Sequence, residues 1–358
     1  MRYFDYIDDE NTNRIFLNKP CEFDNSTEID TLKYALGAFL YVPATQYKMI
    51  YKSITGKVRG VRPLAICLED AVGINGEKEA INNLENVFKD IKKDKFKNEY
   101  DLPLIFVRIK DSEQLKKIGE IIYKNKEVIT GILIPKANAS LLRECIEILD
   151  NSDLTDMYVI PIIESKEFVY KESKDEYFND LYNTILSNKK RILNIRIGVT
   201  DILGLYGIRR SKYFSIYDNL IISNFIQDIT NHLNRPEIDI PISGGVSEFF
   251  DMDDEEIKEK YIEEILLDKF HGLIGKTVIH PTQIPIVQAL CAVDYEDYVD
   301  ATSIISSVDS IYGVSKGVCG GRMNEISPHL LWAKKIMILS KIYGVLNEGI
   351  DYNELLKF

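Results

Sequence analysis

Eight short apolar runs, separated mostly by longer segments with helical spacing, constrain this chain more than any other feature. The runs are Phe39–Val42, Leu64–Leu68, Leu104–Ile109, Gly131–Ile134, Tyr158–Ile163, Ile195–Val199, Glu237–Ile240 and Leu273–Val278. Most are continuously apolar rather than alternating, the pattern of strands covered on both faces. Among the intervening segments, Lys78–Ile91, Ser112–Tyr123, Ala139–Leu149, Asn219–His232 and Glu255–Lys269 repeat apolar residues at helical spacing. Strand and helix alternating eight times, at roughly 33 residues per unit, predict an α/β fold, the (β/α)8 TIM barrel. An open doubly wound sheet is the alternative, and it normally carries a Gly-rich phosphate turn after its first strand. Here Pro43, Ala44, Thr45 and Gln46 follow the first run, which favours the barrel. The expected organisation is an N-terminal extension over 1–37, a barrel catalytic domain over 38–293 and a C-terminal helical extension over 294–358. The last contains a loop rich in glycine (Gly313, Gly317, Gly320, Gly321).

Composition narrows the partners. With 44 basic and 56 acidic residues the net charge is −12, and such a surface repels phosphate backbones and anionic lipid. The longest charge runs, Asp251–Lys260 and Lys89–Lys97, read as solvated helix faces, so neither nucleic acid nor membrane is expected as a partner. No apolar run approaches the 18 or so residues a membrane span requires. The N-terminal MRYFDYIDDENTNR lacks an apolar secretory core. Five scattered cysteines without a CxxC pair read as reduced thiols, and a cytoplasmic location is expected.

In a barrel, chemistry lies at the C-terminal ends of the strands, where the loops converge on one mouth. Those ends carry Glu69 and Asp70, Arg108, Lys136, Glu164, Asp201 and Lys276. Charges in or beside apolar strands are costly to bury unless paired or bound to an ion, and mixed signs at successive ends predict a polar pocket. Glu164 and Asp201, from neighbouring strands, can hold one hard divalent ion and leave positions for water and substrate oxygens, the preference of Mg2+. The bland alternatives are a carboxylate starting a helix at Glu164, and Glu69 and Asp70 starting the helix that follows them.

The segments Leu40-Tyr41-Val42-Pro43-Ala44, Cys67-Leu68-Glu69-Asp70-Ala71-Val72, Val107-Arg108-Ile109, Ile134-Pro135-Lys136, Ile162-Ile163-Glu164-Ser165, Ile197-Gly198-Val199-Thr200-Asp201 and Gly275-Lys276-Thr277-Val278-Ile279-His280-Pro281-Thr282-Gln283-Ile284 resemble the citrate lyase beta subunit family. That family belongs to the broader group of HpcH/HpaI-type aldolases and malyl-CoA lyases. The resemblance implies a TIM barrel and Mg2+-dependent making or breaking of a carbon–carbon bond next to a carboxylate or thioester, with Mn2+ as the alternative ion. It implies Glu164 and Asp201 as metal ligands, Arg108 as the clamp for the carboxylate of a 2-keto acid, and Glu69 and Asp70 as the acidic pair that orients water at the metal. A coenzyme A thioester is an alternative form of the substrate, a small anionic metabolite, and by the same resemblance the chain is expected to form a homo-oligomer, a trimer or hexamer. Other outcomes on the same enolate are a Claisen-type synthase or a thioester hydrolase; the non-enzymatic alternative is a catalytically silent barrel serving in a complex.

Four further residues are candidates for substrate binding. Lys136 reads as a phosphate or carboxylate contact or a salt bridge rather than a Schiff-base lysine, since a Mg2+ site makes the latter redundant. His280 falls where relatives bind coenzyme A, with a structural loop role as the alternative. Arg209 and Arg210 follow a Gly-punctuated extension of the Asp201 segment; they bind an anionic substrate tail or form salt bridges. That extension and the tail Gly320–His329 resemble a divergent branch, the TIM-barrel carbon–carbon bond lyases associated with tellurium-resistance and stress gene clusters.

Overall fold

A computed structural model describes residues 1–73, 75–95 and 101–358. Its eight parallel strands are β1 Ala38–Pro43, β2 Pro63–Cys67, β3 Leu104–Arg108, β4 Ile129–Ile134, β5 Tyr158–Ile163, β6 Ile195–Ile197, β7 Ile242–Ser243 and β8 Lys276–Val278. Each pairs with the next from β1 to β7, and β8 pairs with β1 through Ala38–Lys276 and Leu40–Val278. Closure between β7 and β8 comes from the parallel bridge of Gly244 with Lys276 and from Ile274 N–H donating to the Ile242 carbonyl at 2.8 Å. A closed ring has no free edge, which removes the doubly wound alternative.

The strand faces alternate, so one set of residues points into the barrel and the next outward. Leu40, Leu64, Ile66, Val107, Ile132 and Ile163 pack outward under the helices. Eight helices form that layer: α1 Tyr47–Ile54, α2 Glu77–Lys95, α3 Ser112–Lys124, α4 Ala139–Asn151, α5 Lys174–Ser187, α6 Leu220–Leu233, α7 Glu255–Phe270 and α8 Ile284–Cys291. Four of them, α3, α4, α6 and α7, start at side chains that satisfy free N–H groups: Asp111 accepts from Gln114 N at 2.7 Å and Asn138 from Leu141 N at 2.9 Å. Leu115, Ile118 and Ile122 of α3 then repeat at helical spacing and are buried. The charge run beginning at Lys89 follows α2, where Lys89 and Lys93 are exposed in pairs with Glu85 and Asp90; its residues 96 and 97 lie outside the described residues.

One expected strand is displaced. Glu237–Ile240 forms a turn, and β7 begins only at Ile242. Pro236 follows the end of α6, the N–H groups of Ile238 and Asp239 both reach the Arg235 carbonyl, and Asp239 adopts φ 51°. A chain bent this tightly cannot enter a ladder. Ile238 and Ile240 are still buried, so apolarity alone misplaced the strand by a few residues.

The lower end of the barrel is filled from both ends of the chain. Phe39, Phe106, Leu133 and Ile160 point inward and share a core with Tyr3, Phe4, Ile15, Phe16, Tyr343 and Leu346. The segment Phe16–Asn18 pairs antiparallel with Val345–Leu346, Tyr3 and Tyr343 rings lie 4.5 Å apart, and the Tyr343 hydroxyl donates to the Tyr34 carbonyl at 2.8 Å. Between barrel and plug run α9 Tyr295–Ser306 and α10 Ile326–Tyr343. The glycine-rich loop between these helices is a small hairpin, Val314–Lys316 with Met323–Glu325. Asp300 of α9 anchors it by accepting from Val318 N, Arg322 Nε and Asn324 Nδ2. Among the described residues no helix is long and apolar enough to cross a membrane.

Candidate active site

With the lower end plugged, the open end of the barrel holds a cavity of about 660 Å³. Tyr41, Arg108, Glu164, Arg196, Asp201 and His280 are among its lining residues. A groove of about 770 Å³ on the outer flank is bordered by α7 carboxylates and lysines; it faces solvent on a helix surface, away from the strand ends.

Arg108 closes β3 on the inward parity set by Phe106. Its Nη2 lies 2.8 Å from Glu69 Oε2 and 3.2 Å from Glu164 Oε1, while Nη1 has, among the described residues, only the Cys67 sulfur at 3.9 Å. Nε is buried without a partner among the described residues, so donors remain for a ligand oxygen. The adjacent carboxylates hold its pKa above the ordinary arginine value although burial opposes them.

Glu164 follows β5 and is almost wholly buried. Its Oε1 accepts from Arg108 and from the backbone N–H of Lys136 at 3.0 Å. That second bond is available because Lys136 takes a left-handed backbone, φ 49°. The other side of the carboxylate lies over Gly198. A Cβ there would penetrate Glu164 Oε2 and Cβ and sit 3.0 Å from its carboxyl carbon, so only glycine leaves the carboxylate this place. Burial pushes the Glu164 carboxyl up to about 7, against Arg108 and with a further push from the Asp201 charge.

Asp201 lies in the first turn of a short helix, Val199–Leu205, that follows β6. Burial also raises its pKa, opposed by Lys136 and assisted by Asp70. Two carboxylates whose ionisation burial disfavours, with the Asp201 charge adding to the push on Glu164, are suited to a hard cation. Among the described residues no three His, Cys, Asp or Glu side chains gather as a closed metal nest; two carboxylates with other positions left to water and ligand oxygens is the arrangement Mg2+ favours.

Glu69 is locked: Oε2 pairs with Arg108 and Oε1 with Lys136 Nζ at 2.5 Å. Asp70 is half-exposed on the cavity wall, 3.4 Å from the same ammonium. The helix after this pair starts at Glu77, so neither carboxylate starts it. Lys136 also stands 3.7 Å from Asp201, and this acidic surround lifts its pKa despite burial. It is a charged salt-bridge partner, the second of the roles expected of it, and a poor amine nucleophile.

The structure does not bring Arg209 and Arg210 into the cavity. Arg209 is solvent-exposed with Glu248 at 3.8 Å, and Arg210 is paired with buried Glu264 and donates to the Val246 carbonyl. For both, the ion-pair alternative describes the geometry. His280 lies on the rim, where its Nδ1 meets Thr282 Oγ1 at 2.9 Å and its ring stacks on Phe250 at 4.7 Å. It therefore shapes the loop and borders the cavity together. Lys276 leaves the pocket altogether: on the outward parity of β8 it pairs with Glu264 and Asp268 of α7, at 2.9 and 2.7 Å, fully buried.

Arg196 is the residue that sequence reasoning missed. It interrupts the apolar run Ile195–Val199 as Arg108 interrupts Leu104–Ile109, so the same signal was there. It points into the barrel, with Nε and Nη2 on Thr277 Oγ1 at 3.1 and 2.9 Å.

A family model for carbon–carbon bond lyases of the TIM-barrel fold matches residues 30–345. No curated protein matches the chain. Among solved structures, a citrate lyase from Burkholderia xenovorans is 15% identical with a TM-score of 0.65, covering 89% of this chain and 95% of that one. The protein CitE from Mycobacterium tuberculosis, in complex with magnesium, acetoacetate and coenzyme A, is 18% identical with a TM-score of 0.59, covering 86% and 99%. A Haloferax volcanii malate synthase is 15% identical with a TM-score of 0.52, covering 70% and 72%. At these identities the likenesses show the fold.

Proposed function

Since the chain belongs to the carbon–carbon bond lyases of the TIM-barrel fold, we propose that it makes or breaks a carbon–carbon bond beside the carboxylate of a small 2-keto-acid-related substrate, with Mg2+ held by Glu164 and Asp201. The observation that carries this reading is the convergence of those two carboxylates with Arg108 in one cavity at the strand ends. When bound, the ion supplies a fixed positive charge for the enolate that cleavage leaves. The chain's own residues do the rest. Arg108, held from behind by Glu69 and Glu164, directs its remaining donors at a ligand carboxylate and fixes its angle. Lys136 stays an ammonium and adds positive charge beside Asp201. Glu69 keeps both cations in place, and Asp70, on the solvent side, is the carboxylate that would orient water at the metal.

The relative from Mycobacterium is described with coenzyme A, and the rim of Phe250, Ile279 and His280 in this chain offers partly exposed apolar surface for the body of a thioester. An acyl-CoA substrate is therefore a second form of the same reading, and product analysis separates cleavage, Claisen synthesis and hydrolysis. Trimeric or hexameric assembly belongs to this reading by family likeness and is checked by light scattering.

The direct test is Mg2+ titration by calorimetry on Glu164→Gln and Asp201→Asn. Each removes one of two charged ligands, and affinity should fall at least tenfold in both. Unchanged affinity in both overturns the site.

A further inference from the structure

Four cations are deeply buried among the described residues: Lys33, Arg62, Arg196 and Lys276. Three have carboxylates: Lys33 pairs with Asp30 and Asp239, Arg62 with Asp5, and Lys276 with Glu264 and Asp268. Arg196, 1% exposed, is the exception. Among the described residues its hydrogen bonds go to neutral oxygens, Thr277 Oγ1 at 3.1 and 2.9 Å and Asn194 Oδ1 at 3.4 Å. The acidic group that acts on it is the phenol of Tyr41, whose ring centroid lies 6.0 Å from the guanidinium carbon. A guanidinium out of water without a carboxylate is unfavourable, and that cost falls when the phenol beside it ionises.

Donor and acceptor roles give this group a direction. Arginine only donates, so Thr277 Oγ1, which takes two N–H groups from Arg196, keeps its own hydrogen to give. Tyr41 is a neighbour on which that hydroxyl acts. The Tyr41 hydroxyl is buried without a hydrogen-bond partner of normal geometry among the described residues, and its own hydrogen is left to point elsewhere. Arg108, whose guanidinium carbon stands 5.9 Å from the ring centroid, cannot accept it. Tyr41, Arg196 and Thr277 line the same cavity as Arg108, Glu164 and Asp201, so a ligand there can supply the missing acceptor.

We propose that Tyr41 is the acid and base of the carbon–carbon bond reaction, its Oη–H giving the proton that the enolate carbon takes up in cleavage, and that Arg196 is a positioning residue that acts through Thr277 and favours the phenolate left behind. This rests on the reading that Arg108 and the metal take a keto acid. In cleavage the substrate's carbon–carbon bond breaks and its electron pair passes into the enolate. The enolate carbon forms a C–H bond with the Tyr41 proton, and the O–H electron pair stays on the phenolate. The substrate hydroxyl, on becoming the carbonyl of the other fragment, releases the proton that restores the phenol. In synthesis the phenolate removes the same C–H proton. Burial raises the pKa of Tyr41 above the ordinary phenol value; Arg196 on β6, Arg108 on β3 and the Thr277 hydroxyl on β8 oppose that, and the Glu164 charge after β5 adds to it. At neutral pH the group is protonated and ready to act as the acid.

The test is deuterium wash-in at C3 of 2-ketobutyrate, followed by proton NMR with the full chain at saturating Mg2+, after subtraction of the exchange that Mg2+ alone gives. Wild type should exchange, and faster as pH rises and the phenolate forms. Tyr41→Phe, nearly isosteric, should lose at least about 100-fold in rate, with Mg2+ affinity within twofold and 2-ketobutyrate affinity within threefold of wild type. Arg196→Met should displace the rising limb of the pH profile to higher pH, and Arg196→Lys, which keeps the charge, should displace it less. A merely structural role would lower the rate without moving the limb. Should Tyr41→Phe not fold, 3-fluorotyrosine in place of Tyr41, a more acidic phenol, should displace the limb to lower pH. Exchange in Tyr41→Phe within threefold of wild type overturns the proposal, as does loss of 2-ketobutyrate binding together with exchange, or a limb that neither fluorination nor Arg196→Met moves. Wild type that binds 2-ketobutyrate without exchanging it overturns the proposal too. Wild type that does not bind 2-ketobutyrate with Mg2+ present refutes the keto-acid reading itself, a distinguishable result.

Discussion

Gly198 is the position where a single methyl group tests the geometry of the site. Its φ of −97° and ψ of 81° are on the ordinary side of backbone space, so alanine meets no left-handed barrier there. What it meets is Glu164, whose carboxyl carbon would lie 3.0 Å from the new Cβ with Oε2 and the Glu164 Cβ closer still. Carbon atoms prefer about 3.5–4.0 Å, so the carboxylate must retreat by roughly 1 Å. Overpacking of this kind costs about 1–3 kcal/mol, and at about 2–4 °C per kcal/mol for a large domain the melting temperature should fall by several degrees. The same displacement pulls one carboxylate off the shared cation position, and Mg2+ affinity should fall tenfold or more. Gly204→Ala, on the same short helix with nothing within 4 Å of its Cβ, is the control and should be neutral or slightly stabilising. The assay is a thermal melt with and without Mg2+, paired with metal titration. Gly198→Ala indistinguishable from wild type in both would refute the claim that glycine is what makes room for Glu164.

Two other outcomes are expected. The Glu164 carboxyl, pushed up to about 7 from 4.5, binds its proton in the metal-free fold over a range where the unfolded chain has released it. Metal-free stability therefore falls as pH rises from 4.5 through 7, and Mg2+ must expel the proton at lower pH. The rise in melting temperature given by a fixed Mg2+ concentration should be small at pH 6, grow through pH 7 and level off above it; a flat profile contradicts the burial of Glu164. Lys276→Met should leave Glu264 and Asp268 in the interior without their shared cation and destabilise by about 3–5 kcal/mol, with Mg2+ affinity within twofold of wild type, as read by denaturant unfolding and metal titration.

The barrel was legible because its evidence is local and repeated. Continuous apolar runs such as Leu104–Ile109 and Tyr158–Ile163 coincide with β3 and β5 to within a residue, and Ser112 and Ala139 mark helix starts that Asp111 and Asn138 cap. What escaped depends on partners distant in sequence. Parity decided that Lys276 turns outward to α7 while Thr277 turns inward to Arg196, and β8 is too short for its sequence pattern to reveal which face is which. Arg210 needed Glu264, 54 residues away, to settle its role. Gly198 gave no sign of its importance until Glu164 from another strand was found above it. Arg196 was visible as a charge within a strand, but its partner, the Thr277 hydroxyl, lies 81 residues on and shows only in the closed barrel.

The plug at the closed end of the barrel also sets an order of events during synthesis. Phe16 pairs with Leu346, roughly 330 residues later. At ribosomal rates of about 5–20 residues per second, Tyr3, Phe4 and Phe16 wait some tens of seconds before Tyr343 and Leu346 emerge to cover them. For that interval the nascent chain presents the uncovered aromatic cluster of Tyr3, Phe4 and Phe16, and a chaperone that engages apolar segments has its longest opportunity there. A ribosome stalled before residue 343 should therefore hold a barrel whose floor is open and whose residues 3–16 remain sensitive to protease.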